Sequence, residues 1–158
     1  MCFNRLGECM DETHGEGFGQ ECDACTFGLD AVREKQNKIL SEGGWVADYV
    51  HDDPETPYHI NYHTHGFLEN YKHLDIQMCL PIYVGTLHNI AGIIAEKIKD
   101  GAKFEPGKKY SDIIAMFDIT FMAVMECERP VLRVIFPDPQ GELDPDKMNE
   151  HFRLQWQI

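Results

Sequence analysis

At 158 residues and 18.2 kDa the chain has the size of one domain built around one core. Hydrophobic residues at 43% and aromatics at 11% exclude a disordered chain and give enough apolar area to fold without disulfides. A net charge of -13 opposes any contact made by neutralising phosphates, so nucleic acid and anionic membrane surfaces are not expected partners.

No apolar run approaches the ~20 residues of a membrane span, and the first residues lack the basic-then-apolar layout of a signal peptide. A cytoplasmic protein is expected. The cysteines Cys2, Cys9, Cys22, Cys25, Cys79 and Cys127 are then thiols or metal ligands. Lys97, Lys99, Lys103, Lys108 and Lys109 are interleaved with Glu96, Asp100 and Glu105, the pattern of a solvated helix face.

In chain order, residues 1–21 carry Gly7, Gly15, Gly17 and Gly19 among acidic residues and read as an irregular arm. Residues 26–42 read as a helix, with Leu29, Val32, Ile39 and Leu40 at helical spacing, Asp30 as N-cap and Gly43 at the end. Residues 45–50 read as a strand with Trp45, Ala47 and Tyr49 on one face, followed by a turn at His51–Pro54. A second strand from Tyr58 places Tyr58, Ile60 and Tyr62 on one side, with His59, Asn61, His63 and His65 on the other. Residues 67–72 connect it to a third strand, 74–80, closed by Pro81.

Residues 86–100 give the clearest helix. Leu87, Ile90, Ala91, Ile94 and Ile98 form its apolar stripe, Thr86 is its cap and Gly101 follows its end. The stretch AKFEPGKKY is a loop, and 116–127 and 131–136 are apolar central strands. PDPQGELDPD is irregular, and the tail HFRLQWQI is a short closing segment. The whole predicts an α+β fold: an irregular arm over 1–21, then a single domain over 22–158. Its mostly antiparallel sheet has about five or six strands packed with two helices.

Several stretches taken in order resemble the bacterial family classed as domain of unknown function family 4262. They are Cys22-x-x-Cys25, GGWVADYV, YHTHGF followed by KHLDIQMCLP, LHNIAGIIAEKIKDGAKFEPG, VLRVIFPDPQGELDP and FRLQW. The resemblance covers most of the chain from about residue 21. It implies a small cytoplasmic α+β domain and assigns no activity. The family pattern has a histidine-proline-glutamate triplet where this chain has His73-Leu74-Asp75, so His73 and the acid at Asp75 carry over. His63 and His65 stand where the family strand has other residues, and their role rests on geometry.

Half of the chain's eight histidines (His59, His63, His65 and His73) lie between Tyr58 and Leu80. Alternate strand residues lie ~6.6 Å apart on one face, so His63 and His65 can converge on one ion. A hairpin of the second and third strands would bring them near His73 and Asp75. With Glu69 or Asp75 as general base, this makes a zinc site with an open position or a non-haem iron site, suited to hydrolysis of a small molecule. His59 and His73 are the expected ligand-binding residues. HTHGFLE also has the H-x-H-x3-E spacing of cupin barrels, without the flanking glycines of that fold. The plain alternative is that these histidines make ordinary hydrogen bonds on a half-exposed strand.

Cys22 and Cys25 have zinc-ligand spacing, and structural zinc there needs two more ligands from Cys2, Cys9, His14 or the central histidines. That site belongs to the rival expectation, a non-catalytic binding or interaction module. A homo-oligomer is compatible with either. No nucleophile elbow, phosphate-binding glycine loop or dinucleotide fingerprint is present.

Overall fold

The computed structural model describes residues 27–158 and, before them, the backbone of Cys2–Phe3. The elements in chain order are β1 Cys2–Phe3, α1 Leu29–Ser41, β2 Val46–His51, β3 Ile60–His65, α2 Phe67–Tyr71, β4 Asp75–Met78 and α3 Val84–Lys99. They continue with β5 Lys109–Tyr110, β6 Ile119–Glu126, β7 Arg129–Ile135 and α4 Glu150–Arg153, which runs into a 3-10 turn at Leu154–Trp156. The strands form one sheet in the order β1-β2-β3-β4-β7-β6-β5. All pairs are antiparallel except β1–β2 and β4–β7. The expected α+β domain is observed. The two-residue edge strands β1 and β5, at positions expected in the arm and in a loop, extend the sheet beyond its five longer strands.

One face of the sheet is apolar and α3 lies against it. Leu87, Ile90, Ala91, Ile94 and Ile98 of α3 are buried with Tyr49, Tyr62, Ile76, Met78, Phe121, Leu132 and Val134 from five strands. Each fully buried aliphatic side chain contributes about 1.5–3 kcal/mol, so this contact is the main stabilising layer. Both long helices end in a Schellman motif. Gly43 and Gly101 have φ of +84° and +96°. Gly44 N–H donates to Ile39 O at 2.9 Å, and Ala102 N–H to Lys97 O at 2.9 Å. Their starts differ from expectation. Neither helix has a side-chain cap, and Asp30 and Thr86 sit in the first turn, because Gly28 and Tyr83 occupy the capping positions.

Residues 67–72, read as a connection, contain the one-turn helix α2. Gly66 makes this turn possible. Its φ is +104°, and a Cβ there would fall 2.7 Å from Leu40 Cδ2 and 2.9 Å from the Gly44 carbonyl oxygen. Cys127 and Glu128, with φ of 46° and 65°, form the tight two-residue turn between β6 and β7.

The second expected strand begins two residues later than Tyr58. Pro57–His59 form a 3-10 turn in which Tyr58 and His59 have φ of 58° and 56°. Strand alternation therefore does not reach His59, which is exposed.

Candidate metal site

The opposite face of the sheet is polar along β2, β3 and β4. On β3, Asn61, His63 and His65 point away from the side carrying Tyr62, as the alternation predicts. The register of β2 against β3 sets Asp48 directly opposite His63. As a result Asp48, His63 and His65 each offer a ligand atom within 4.8 Å of the others. His65 Nε2 lies 3.4 Å from Asp48 Oδ2, close to the separation of about 3.4 Å between neighbouring ligand atoms around a tetrahedral zinc. The two imidazole rings are 4.9 Å apart and nearly perpendicular. His63 is enclosed and the other two are half-buried, so the cluster opens toward solvent on the His65 and Asp48 side.

The electrostatics suit ligation. Burial alone would lift the Asp48 carboxyl. Hydrogen bonds from His65 and from Gln36 Nε2 (3.0 Å), with the nearby His63, hold it instead at about 2. Asp48 is therefore ionised at neutral pH. Burial pushes His63 below the ordinary imidazole value against the pull of the Glu126 carboxylate, which favours the neutral ring that metals bind. Behind the cluster, His63 Nδ1 is 3.1 Å from Asn61 Oδ1 and 3.3 Å from Glu126 Oε1. Glu126 Oε2 accepts from Arg129 Nε at 2.6 Å.

The other expected site residues lie elsewhere. The hairpin of β3 and β4 forms, but its register pairs His63 with Gln77. His73 is turned inward. Its Nδ1 donates to Leu74 O at 2.8 Å, its Nε2 accepts the Phe104 N–H at 3.1 Å, and its ring packs edge-on against Phe104. Both nitrogens are spent, so His73 is not a ligand here and does not face the His63–His65 cluster.

Asp75 is likewise occupied. Oδ1 accepts from Thr64 Oγ1 at 3.0 Å and Phe67 N–H at 3.1 Å, and Oδ2 lies 3.3 Å from Arg129 Nη1. Burial raises its carboxyl despite these partners, and the residue organises the β3–α2 corner. Glu69 is exposed on α2, where its carbonyl accepts from Lys72 Nζ, and it is not part of the cluster. Cys22 and Cys25 lie outside the described residues. Of the cysteines that are described, Cys79 is buried and Cys127 is exposed at the β6–β7 turn.

Neither Asp48 nor Glu126 is among the site residues the sequence points to. Asp48 reaches His63 only through strand register. Glu126 reaches Asn61 from 65 positions away. A local signal existed for Asp48 alone: it alternates with Ala47 and Tyr49 in a strand whose apolar face was already identified. No protein-family model, curated protein or solved structure matches the chain. No helix among the described residues is long and apolar enough to cross a membrane.

Proposed function

We propose that this domain binds a divalent transition metal, zinc or non-haem iron, through Asp48, His63 and His65, and presents it to a small-molecule ligand. The convergence of three ligand atoms within 4.8 Å on one partly open sheet face carries the reading. Two imidazoles and one carboxylate suit zinc or iron better than calcium or magnesium, which favour oxygen ligands. Three protein ligands leave coordination positions free, the arrangement of catalytic rather than structural sites. A bound ion would supply Lewis acidity and an activated water, which makes hydrolysis the simplest reaction for this site.

The chain's own contribution is positional. β3 spaces the two rings, Gln36 steadies the ionised Asp48, and the side chains behind His63 hold its ring. Asp75 and Glu69 have no part as general base in this reading, because one is enclosed by its partners and the other is outside the cluster. Membership of the family resembled above is proposed on the quoted stretches and would add no activity.

The test is metal binding by the full chain after chelation. Titration with Zn(II), and with Co(II) as a spectroscopic stand-in, should give one equivalent bound with nitrogen and oxygen ligands. The His63→Ala, His65→Ala double variant should bind at least about 100-fold more weakly, because two of the three side chains that would touch the ion are lost. A double variant that keeps the full complement would refute the site. Thiolate-to-cobalt charge transfer in that variant would point to the arm cysteines.

A further inference from the structure

We infer that His63 is locked in a single tautomer, proton on Nδ1 and lone pair on Nε2, by Asn61 and Glu126, which makes these two the positioning residues of the metal ligand. The consequence for metal binding rests on the reading above, whereas the tautomer does not.

Two chains of polar contacts converge on His63 Nδ1, one ending in the Asn61 hydrogen bond and the other in the Glu126 ion-pair contact, and each begins at an arginine, a side chain that can only donate. The first starts at Arg133, buried at 3% exposure, whose Nε donates to Gln77 Oε1 at 2.8 Å. That fixes the Gln77 amide, so its Nε2 donates to Asn61 Oδ1 at 3.1 Å. Asn61 is fixed from its other end as well, since its Nδ2 donates to Asp53 Oδ2 at 3.0 Å and to Glu126 Oε1 at 3.3 Å. Asn61 therefore turns an acceptor toward His63 Nδ1.

The second chain starts at Arg129, whose Nε donates to Glu126 Oε2. The same guanidinium reaches Asp75 Oδ2 and Thr64 O, which anchors it to the β3–α2 corner. Glu126 is buried at 7% exposure with its Oε2 taken by this partner, which leaves Oε1 as a second oxygen 3.3 Å from Nδ1.

A nitrogen facing two acceptors carries the proton, and the neutral ring then leaves Nε2 bare. This is the arrangement in which a carboxylate behind a histidine orients it toward a metal, and loss of such a partner costs about 10–100-fold in metal affinity. Glu126 touches no reacting atom in this scheme and acts only through His63.

Long-range 1H–15N correlation on the full chain labelled with 15N-histidine, metal removed, reads the tautomer directly. The expected result is His63 protonated on Nδ1 alone. A neutral His63 carrying its proton on Nε2 in the wild type overturns the inference with no variant needed. Glu126→Gln and Asn61→Ala should each lower Zn(II) affinity about 10–100-fold at unchanged stoichiometry. The double variant should show a mixed His63 tautomer while that of His65 stays as in the wild type. A folded double variant with wild-type affinity and the proton still only on Nδ1 also overturns it. A wild type that binds no metal ends the metal reading, and the tautomer measurement still decides this one.

Discussion

His63 and His73 are buried to the same degree, 8% exposed each, and lie ten positions apart, yet they are chemically opposite. Around His73 the protein supplies one acceptor and one donor, Leu74 O and the Phe104 N–H, so the ring is a bridge between two backbone segments with nothing left to offer. Around His63 it supplies two acceptors at Nδ1, Asn61 Oδ1 and Glu126 Oε1, and commits only that nitrogen. Burial does not distinguish a structural histidine from a candidate ligand. A ring nitrogen left uncommitted, in a side chain that has a ligand atom within 4.8 Å of those of Asp48 and His65, does.

Removing each ring separates the two roles. The His63→Ala, His65→Ala variant is expected to lose metal binding by at least about 100-fold while keeping most of its stability. His73→Ala is expected to leave metal affinity within about twofold and to lower unfolding free energy by about 1–3 kcal/mol, because the buried Phe104 N–H loses its acceptor. Urea unfolding of the metal-free proteins beside a metal titration reads both axes. Weakened metal binding in His73→Ala would dissolve the contrast.

A smaller effect tests the rim of the cluster. Gln36 reaches Asp48 from α1 through one part-buried hydrogen bond, and Gln36→Ala should weaken metal binding only a few-fold, the worth of about 0.5–1.5 kcal/mol at most. A loss as large as that of a direct ligand would place α1 nearer the ion than this contact implies.

The cysteines repeat the contrast between enclosed and open groups. Burial pushes the Cys79 thiol up to about 12, whereas Cys127 is exposed. Alkylation of the native protein at pH 8, mapped by mass spectrometry, should modify Cys127 and spare Cys79. The sign of the pH effect follows from the raised value. The Cys79 contribution to stability is complete below about pH 9, where the unfolded thiol keeps its proton, and is lost as pH rises toward 12. Cys79→Ala should flatten that part of the alkaline decline in urea unfolding free energy.

Much of this fold is legible residue by residue. The stripe of Leu87, Ile90, Ala91, Ile94 and Ile98 and the alternation of Ile60 and Tyr62 against Asn61, His63 and His65 are local periodicities, and they recur as the two faces of the sheet. Gly43 and Gly101 mark both helix ends because their positive φ is a local backbone requirement. Local reading fails where conformation departs from the period. Two consecutive left-handed residues, Tyr58 and His59, break the strand pattern and carry His59 out of the site. The helix α2 is too short to show a periodicity.

What the sequence by itself determined is therefore the α+β class, the two principal helices and the placing of His63 and His65 on one polar strand face. These follow from residue spacing along a single segment. The tertiary structure decided which groups complete the site. Asp48 is set opposite His63 by the β2–β3 register, Glu126 and Arg129 arrive from the far end of β6 and β7, and His73 is claimed by the Phe104 backbone. Each depends on a pairing between distant segments. Strand register and backbone hydrogen bonds fix those pairings only once the sheet has assembled.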